Sequence, residues 1–192
     1  MMNIKKQADN ILKSPKEKPE KIRLFCDLVR EIPYKRIGSL DPQDMVKEGR
    51  GSCTPKHIFL ATYLKKLDIP VKFLVIPFFY KKLGVRYPKN KIDIVNKMPL
   101  SYHTALKARL HGKWTILDVT WNSNLKKKGF IVNDIWNGKS DMKLGVIPEK
   151  IIEKDIDPRK FKKEEPRKYT EDELLARKKF YKLLDSVIEN GD

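Results

Sequence analysis

Cys53, His103 and Asp118 are the residues whose types and spacing suit nucleophilic catalysis. Gly49-Arg50-Gly51-Ser52-Cys53-Thr54-Pro55 leads into Lys56 to Leu67, where His57, Leu60, Ala61, Leu64 and Leu67 recur at helical spacing. Cys53 therefore falls at a helix N-terminus, with Pro55 in the first turn. There the positive end of the helix dipole lowers a thiol pKa and raises the thiolate fraction. Gly49 and Gly51 let the backbone make a tight, exposed approach. Downstream, Tyr102 to Leu110 and Lys113 to Trp121 read as strands flanking His111-Gly112, a two-residue hairpin turn. Leu110 then faces Lys113, and counting back along both strands puts Asp118 opposite Ala105 and diagonal to His103. Diagonal neighbours lie roughly 7–8 Å apart at the backbone, within side-chain reach. A carboxylate beside an imidazole fixes its tautomer and supports its charged form. Together these are a nucleophile, a base and an orienting group.

The elements that must position these residues can be read in the same way. Val71 to Phe79 is an apolar run suited to a buried strand, after Asp68-Ile69-Pro70 ends the Cys53 helix. Leu106, Ala108, Leu110, Leu117 and Val119 share the hairpin face opposite His103 and Asp118, as a core requires. Upstream, Ile4, Ala8, Ile11 and Leu12 mark one short helix, and Ile22, Phe25, Leu28, Val29 and Ile32 mark a second that stops before Pro33. Asp41-Pro42 opens a third, and Gly49 ends it. Thr170 and Glu173 form a capping box for a last helix with Leu174, Tyr181, Leu184 and Ile188 on one face. Helix, strand and antiparallel hairpin in this order predict an α+β core. The chain divides into N-terminal helices (1–33), a catalytic core (34–148) and a charged connection with a C-terminal helix (149–192).

The remaining chemistry-bearing residues read more plainly. Cys26 is a small buried hydrophobe on its helix. His111 is an exposed turn residue, and Trp114 and Trp121 are packing residues on the sheet, either of which could line a groove. His57 lies one turn from Cys53 and is read as a packed helix residue or one at the edge of the site. A zinc site on Cys53, His57 and His103 is the alternative; the expectation is no metal and no cofactor.

The chain of 192 residues carries 42 Lys and Arg against 25 Asp and Glu, a net charge of +17. The excess is uneven: 30 basic and 14 acidic residues precede Lys150, and Tyr80 to Lys128 holds 12 basic residues against Asp93 and Asp118 alone. An acidic partner or substrate follows for that stretch, with a lysine-rich solvated surface as the alternative. Two cysteines cannot build a disulfide framework, the longest apolar stretch is too short for a membrane helix, and the first residues lack a secretory h-region. The expectation is a cytoplasmic protein with no membrane partner.

Gly49 to Lys56, followed by Leu60 to Leu64 and Ile69-Pro70-Val71, resembles the nucleophile segment of the transglutaminase-like superfamily. Tyr102-His103-Thr104-Ala105 and Gly112 to Thr120 resemble its histidine and aspartate segments, and Ile32-Pro33-Tyr34 with Leu40-Asp41-Pro42 fits loosely. The resemblance covers about residues 30–122. It implies a papain-like core in which the helix bearing Cys53 packs on an antiparallel sheet bearing His103 and Asp118. It implies a thiol enzyme acting on an amide or related acyl group through an acyl-thioester, with a peptide or protein substrate. Thr54 stands where animal transglutaminases carry tryptophan, and His57 stands where many microbial relatives carry a small residue. With no acidic cluster suited to the calcium sites of the animal enzymes, these departures favour hydrolysis over cross-linking. The backbone N–H of Cys53 serves as one oxyanion donor; the sequence names no second. The alternative is a basic module on a catalytically degenerate transglutaminase-like fold, holding nucleic acid or another polyanion through Lys81, Lys82, Arg86, Lys89, Lys91 and Lys126-Lys127-Lys128. That alternative is not favoured, because no nucleic-acid motif accompanies the lysines.

Overall fold

The computed structural model describes residues 3–154 and 157–189. Helices α1 (Ile4–Lys13) and α2 (Lys18–Glu31) are separated by Ser14-Pro15, and α2 stops ahead of Pro33 because the residue before a proline is driven from the helical region. The Asp41 carboxylate caps α3 (Pro42–Glu48) by accepting from Gln43 N–H at 2.8 Å. Gly49 then ends that helix at φ 65°, a left-handed conformation that glycine adopts without strain. The chain turns through Gly51, whose backbone pairs with the Pro33–Lys35 segment. A Cβ at Gly51 would sit 2.5 Å from the Met45 side chain, so only glycine lets this loop close under α3. Helix α4 (Cys53–Lys65) follows at once.

The rest of the chain is β1 (Val71–Phe78), α5 (Ile92–Asn96), β2 (Ser101–Leu110), β3 (Lys113–Leu117), β4 (Ile152–Lys154), α6 (Pro158–Glu164) and α7 (Glu171–Glu189). The strands form one antiparallel sheet in the order β3-β2-β1-β4. His111 and Gly112 take φ of 48° and 78°, both positive as a tight hairpin of right-twisted strands requires. Leu110 faces Lys113 and Leu106 faces Leu117, the register that the turn dictates.

The third strand is shorter than the pattern predicts, ending at Leu117 rather than Trp121. Beyond Leu117 the N–H groups leave the ladder. Asp118 N–H donates to Met142 Sδ at 3.3 Å, Val119 N–H to His57 Nε2 at 3.1 Å, and Thr120 N–H to Asp118 Oδ1 at 3.2 Å. The end of the strand is given over to the site.

The sheet separates two apolar clusters. On one side Phe25, Val29, Leu60 and Leu64 from α2 and α4 pack with Leu106, Ala108, Leu110, Leu117 and Val119, the face expected to form a core. On the other, Leu74, Ile76 and Ala105 pack with Phe180 and Leu184 of α7. The α+β arrangement is therefore as the sequence predicts, with the Cys53 helix on an antiparallel sheet and helices at both ends. The capping box of α7 is formed, Thr170 N–H donating to Glu173 Oε2 at 2.9 Å and Glu173 N–H to Thr170 Oγ1 at 3.3 Å. Its buried face differs from the expected one: Arg177, Phe180, Leu183 and Leu184 are buried, whereas Leu174 is exposed. Leu174 lies in the first turn, before the helix reaches the sheet. No helix among the described residues is long and apolar enough to cross a membrane.

Candidate active site

Cys53 is the first residue of α4, and its N–H is one of the helix's orphan donors. Its thiol is nearly buried, at 9 % exposure, and opens onto a cavity of about 300 Å³. Burial alone would push the thiol pKa up. The neighbouring charged His103 ring, then the charge of Lys162 and the Thr104 N–H, overcome that and bring it down to about 6. Thr54 and Thr104 join α4 to β2 beside the sulfur, their hydroxyls 3.0 Å apart.

His103 Nε2 lies 2.7 Å from Asp118 Oδ2, so Nδ1 is the ring nitrogen left for the sulfur. Burial opposes protonation of the ring, but Asp118, through charge and hydrogen bond, and then Cys53 raise its pKa to about 10. Asp118 is itself held ionised. Its Oδ2 also accepts from Gly145 N–H at 2.7 Å, and its Oδ1 accepts from Thr120 Oγ1–H at 2.7 Å and Thr120 N–H at 3.2 Å. Burial raises the Asp118 pKa, and His103 and these donors carry it far below the ordinary carboxylate range.

His57 is fully buried, the packed helix residue of the two readings rather than one at the edge of the site. Its Nδ1–H donates to the Cys53 carbonyl at 2.8 Å, and its Nε2 accepts from Val119 N–H at 3.1 Å. That pattern needs a neutral ring. Burial drives the pKa down to about 4 against the pull of Asp118. With both nitrogens engaged, His57 has no lone pair for a metal, and no group of three or more His, Cys, Asp and Glu among the described residues is arranged to hold one.

Three further participants, Lys56, Tyr34 and Lys162, carry no sign of a role in the sequence, and a fourth, Trp121, is read there as a packing residue that could line a groove. Lys56 is fully buried, and its ammonium donates to the carbonyls of Arg30 (2.9 Å), Ile32 (2.8 Å) and Thr120 (2.8 Å). Tyr34 lines the cavity and packs on Trp121, with ring centroids 4.3 Å apart and planes tilted by 45°. Burial and the nearby Cys53 both raise the Tyr34 pKa, so its hydroxyl stays protonated. Lys162 donates to the Tyr102 carbonyl and, with Arg177, pairs with Glu165. Trp121, read as a packing residue, also lines the cavity, and its indole N–H donates to the Gly145 carbonyl at 2.7 Å. Trp114 lies on the outer surface under Lys72, and His111 is exposed in the turn. Cys26 is fully buried, and burial pushes its thiol pKa far up. Among the lysines considered for polyanion binding, Lys82 pairs with Glu149, Lys126 with Asp134, and Lys128 donates to the carbonyls of Val187 and Ile188.

No protein-family profile and no curated protein matches the chain. Among solved structures it is similar to a crystal structure from Cytophaga hutchinsonii, provisionally described as a cysteine protease, with 14 % identity and a TM-score of 0.43. The likeness covers 79 % of this chain and 49 % of the other, so the chain spans about half of that protein's length.

Proposed function

We propose that the protein is a cysteine-dependent hydrolase of the transglutaminase-like type, cleaving an amide or related acyl bond. The observation that carries this reading is the buried contact of His103 Nε2 with Asp118 Oδ2 at 2.7 Å, in a ring that lines the same cavity as Cys53 at its helix N-terminus. Cys53 attacks the acyl carbonyl as thiolate. His103, as imidazolium, gives its proton to the departing amine, leaving an acyl-thioester. A water then loses a proton to His103 and attacks the thioester, and the thiolate departs as the acid is released. Asp118 holds the ring and its charge throughout. The developing oxyanion is held by the Cys53 N–H and by the Tyr34 hydroxyl, whose position in the cavity wall and high pKa suit a donor.

The two cysteines provide the test. Native protein is treated with limiting iodoacetamide at about pH 6.5, near the ordinary histidine pKa, and both sites are read by peptide mapping. Cys53 should be alkylated and Cys26 spared, and His103→Ala should slow the Cys53 reaction at least about tenfold by removing the imidazolium that supports the thiolate. Equal labelling of the two cysteines, or a Cys53 rate indifferent to His103, would sink the proposal.

A further inference from the structure

The charge around the cavity is one-sided. Arg36, Lys162, Lys163 and Arg177 line it together with Cys53, and Glu165 is the carboxylate among the lining residues. Glu165 is already shared. Lys162 pairs with it at 2.8 Å and Arg177 at 2.9 Å, and the Tyr169 hydroxyl donates to it as well. Arg36 and Lys163 have no carboxylate within ion-pair distance among the described residues. Arg36 is nevertheless held in place: its guanidinium stacks over the Tyr181 ring at 3.3 Å from the centroid, and Arg177 approaches the same ring at 5.3 Å. Stacking uses the face of a guanidinium and leaves the N–H groups on its edge available. Arg177 is satisfied by Glu165 and lies closer to the Tyr169 ring, at 4.2 Å, so Arg36 is the guanidinium here whose edge meets no carboxylate. Thiolate, imidazolium and the ionised Asp118 behind them sum to one negative charge, which leaves the four cations and Glu165 of the lining with a positive excess. Phe78, Trp121 and Val146 supply an apolar lining for the carbon chain of a ligand. None of the basic residues between Tyr80 and Lys128 lines this cavity, so its charge comes from Arg36, α6, α7 and the segment between them.

We propose that the cavity binds acyl donors bearing a carboxylate close to the reacting carbonyl, the carboxylate lying on the edge of Arg36 with Lys163 facing it. This rests on Cys53 being the nucleophile and names the substrate class for that site. Two sources present the same chemistry: the free C-terminus of a peptide and the side chain of an acidic residue. In either case the carboxylate takes charge-assisted hydrogen bonds, bidentate from Arg36, at the exposed rim of the cavity.

Two alkylating probes of similar size separate this proposal from the one beneath it. Iodoacetate carries a carboxylate and iodoacetamide is neutral. Second-order rates at Cys53 in the full chain are measured for both, each divided by the rate with the thiolate of uncharged 2-mercaptoethanol in the same low-salt buffer. The normalised iodoacetate rate should exceed the normalised iodoacetamide rate about fourfold, the effect expected of an exposed cation about 5 Å away in low salt. Arg36→Gln should remove most of that ratio, Arg36→Lys should keep part of it, and Lys163→Gln should lower it. Because a ratio is read, a general change in thiol reactivity cancels. N-Acetylglutamine, N-acetylglutamic acid α-amide and the uncharged diamide are then tested as protectants against iodoacetamide. Stronger protection by the first assigns the site to a chain terminus, and by the second to an acidic side chain. Selective iodoacetamide labelling of Cys53 with no iodoacetate preference overturns the anion site while leaving the thiol hydrolase intact. A preference that survives both Arg36→Gln and Lys163→Gln, or protection by the diamide equal to that by the anions, also overturns it. If iodoacetamide does not single out Cys53, both proposals fall.

Discussion

Asp118 accepts hydrogen bonds on both carboxylate oxygens, from His103 and Gly145 on Oδ2 and from Thr120 on Oδ1, so its position is fixed before any substrate arrives. An asparagine there keeps the shape but puts an amide where a charge is needed. Asp118→Asn should therefore lower turnover of an activated ester such as p-nitrophenyl acetate by about three to four orders of magnitude. It should also move the Cys53 alkylation midpoint up from about 6 towards the ordinary thiol value of 9.0. Tyr34→Phe should behave differently. Alkylation passes through no oxyanion, so the Cys53 rate should hold, while ester turnover should fall about 10²–10³-fold. Equal losses on both readouts would mean that Tyr34 shapes the thiolate rather than the oxyanion site. The placing of Cys53 at a helix start and of His103 beside Asp118 was legible because a two-residue turn fixes pairing by counting and a helix start follows from Pro55. Tyr34, His57 and Lys56 were not. Their partners are backbone groups or side chains that sequence spacing does not bring near, such as Val119 N–H for His57 and Thr120 O for Lys56.

At the scale of elements, Lys56 shows why helix periodicity underdetermines the site. Helix α4 buries Thr54, Lys56, His57, Leu60 and Leu64, so its sides as well as its sheet face are covered. One ammonium there joins three elements, since its three protons match the carbonyls of Arg30 at the end of α2, Ile32 just after it, and Thr120 beyond β3. Lys56→Met removes all three donors and strands those carbonyls. It should destabilise the fold by about 3–5 kcal/mol, as loss of one partner from a buried polar network does, measured by urea unfolding. A cost under about 1 kcal/mol would mean that water replaces the ammonium there. The cavity wall was equally hidden. Strand β4 is three residues long, and Phe161 is the one large apolar side chain of α6, too little pattern for either period to register. Yet Lys162 and Lys163 of α6, Glu165 beyond it and Arg177 of α7 carry the charge that faces Cys53.

Across the whole molecule, the buried titrating groups decide which side of neutrality is weak. Making thiolate and imidazolium from a thiol and a neutral imidazole moves a proton from sulfur to nitrogen within the protein. Near neutral pH the folded and unfolded chains therefore bind equal numbers of protons at Cys53 and His103, and the pair gives stability no slope with pH. Below about pH 6 these two groups and Lys56 become protonated in both states and stay silent. His57 does not. Burial lowers its folded pKa to about 4 from 6.5, so between those values the unfolded chain binds the additional proton and stability falls as pH falls. At about 1.4 kcal/mol per pKa unit, this costs about 3 kcal/mol by ~pH 4.5. Asp118, with its folded pKa depressed, continues the loss as pH falls through the ordinary carboxylate range. Urea unfolding at ~pH 7 and ~pH 4.5 should show that difference in the wild type. His57→Gln, whose side chain cannot take the proton, should be less stable at neutral pH yet lose less than about 1 kcal/mol on acidification. A wild-type slope in His57→Gln would place the acid sensitivity elsewhere and leave the neutral ring of His57 without energetic consequence.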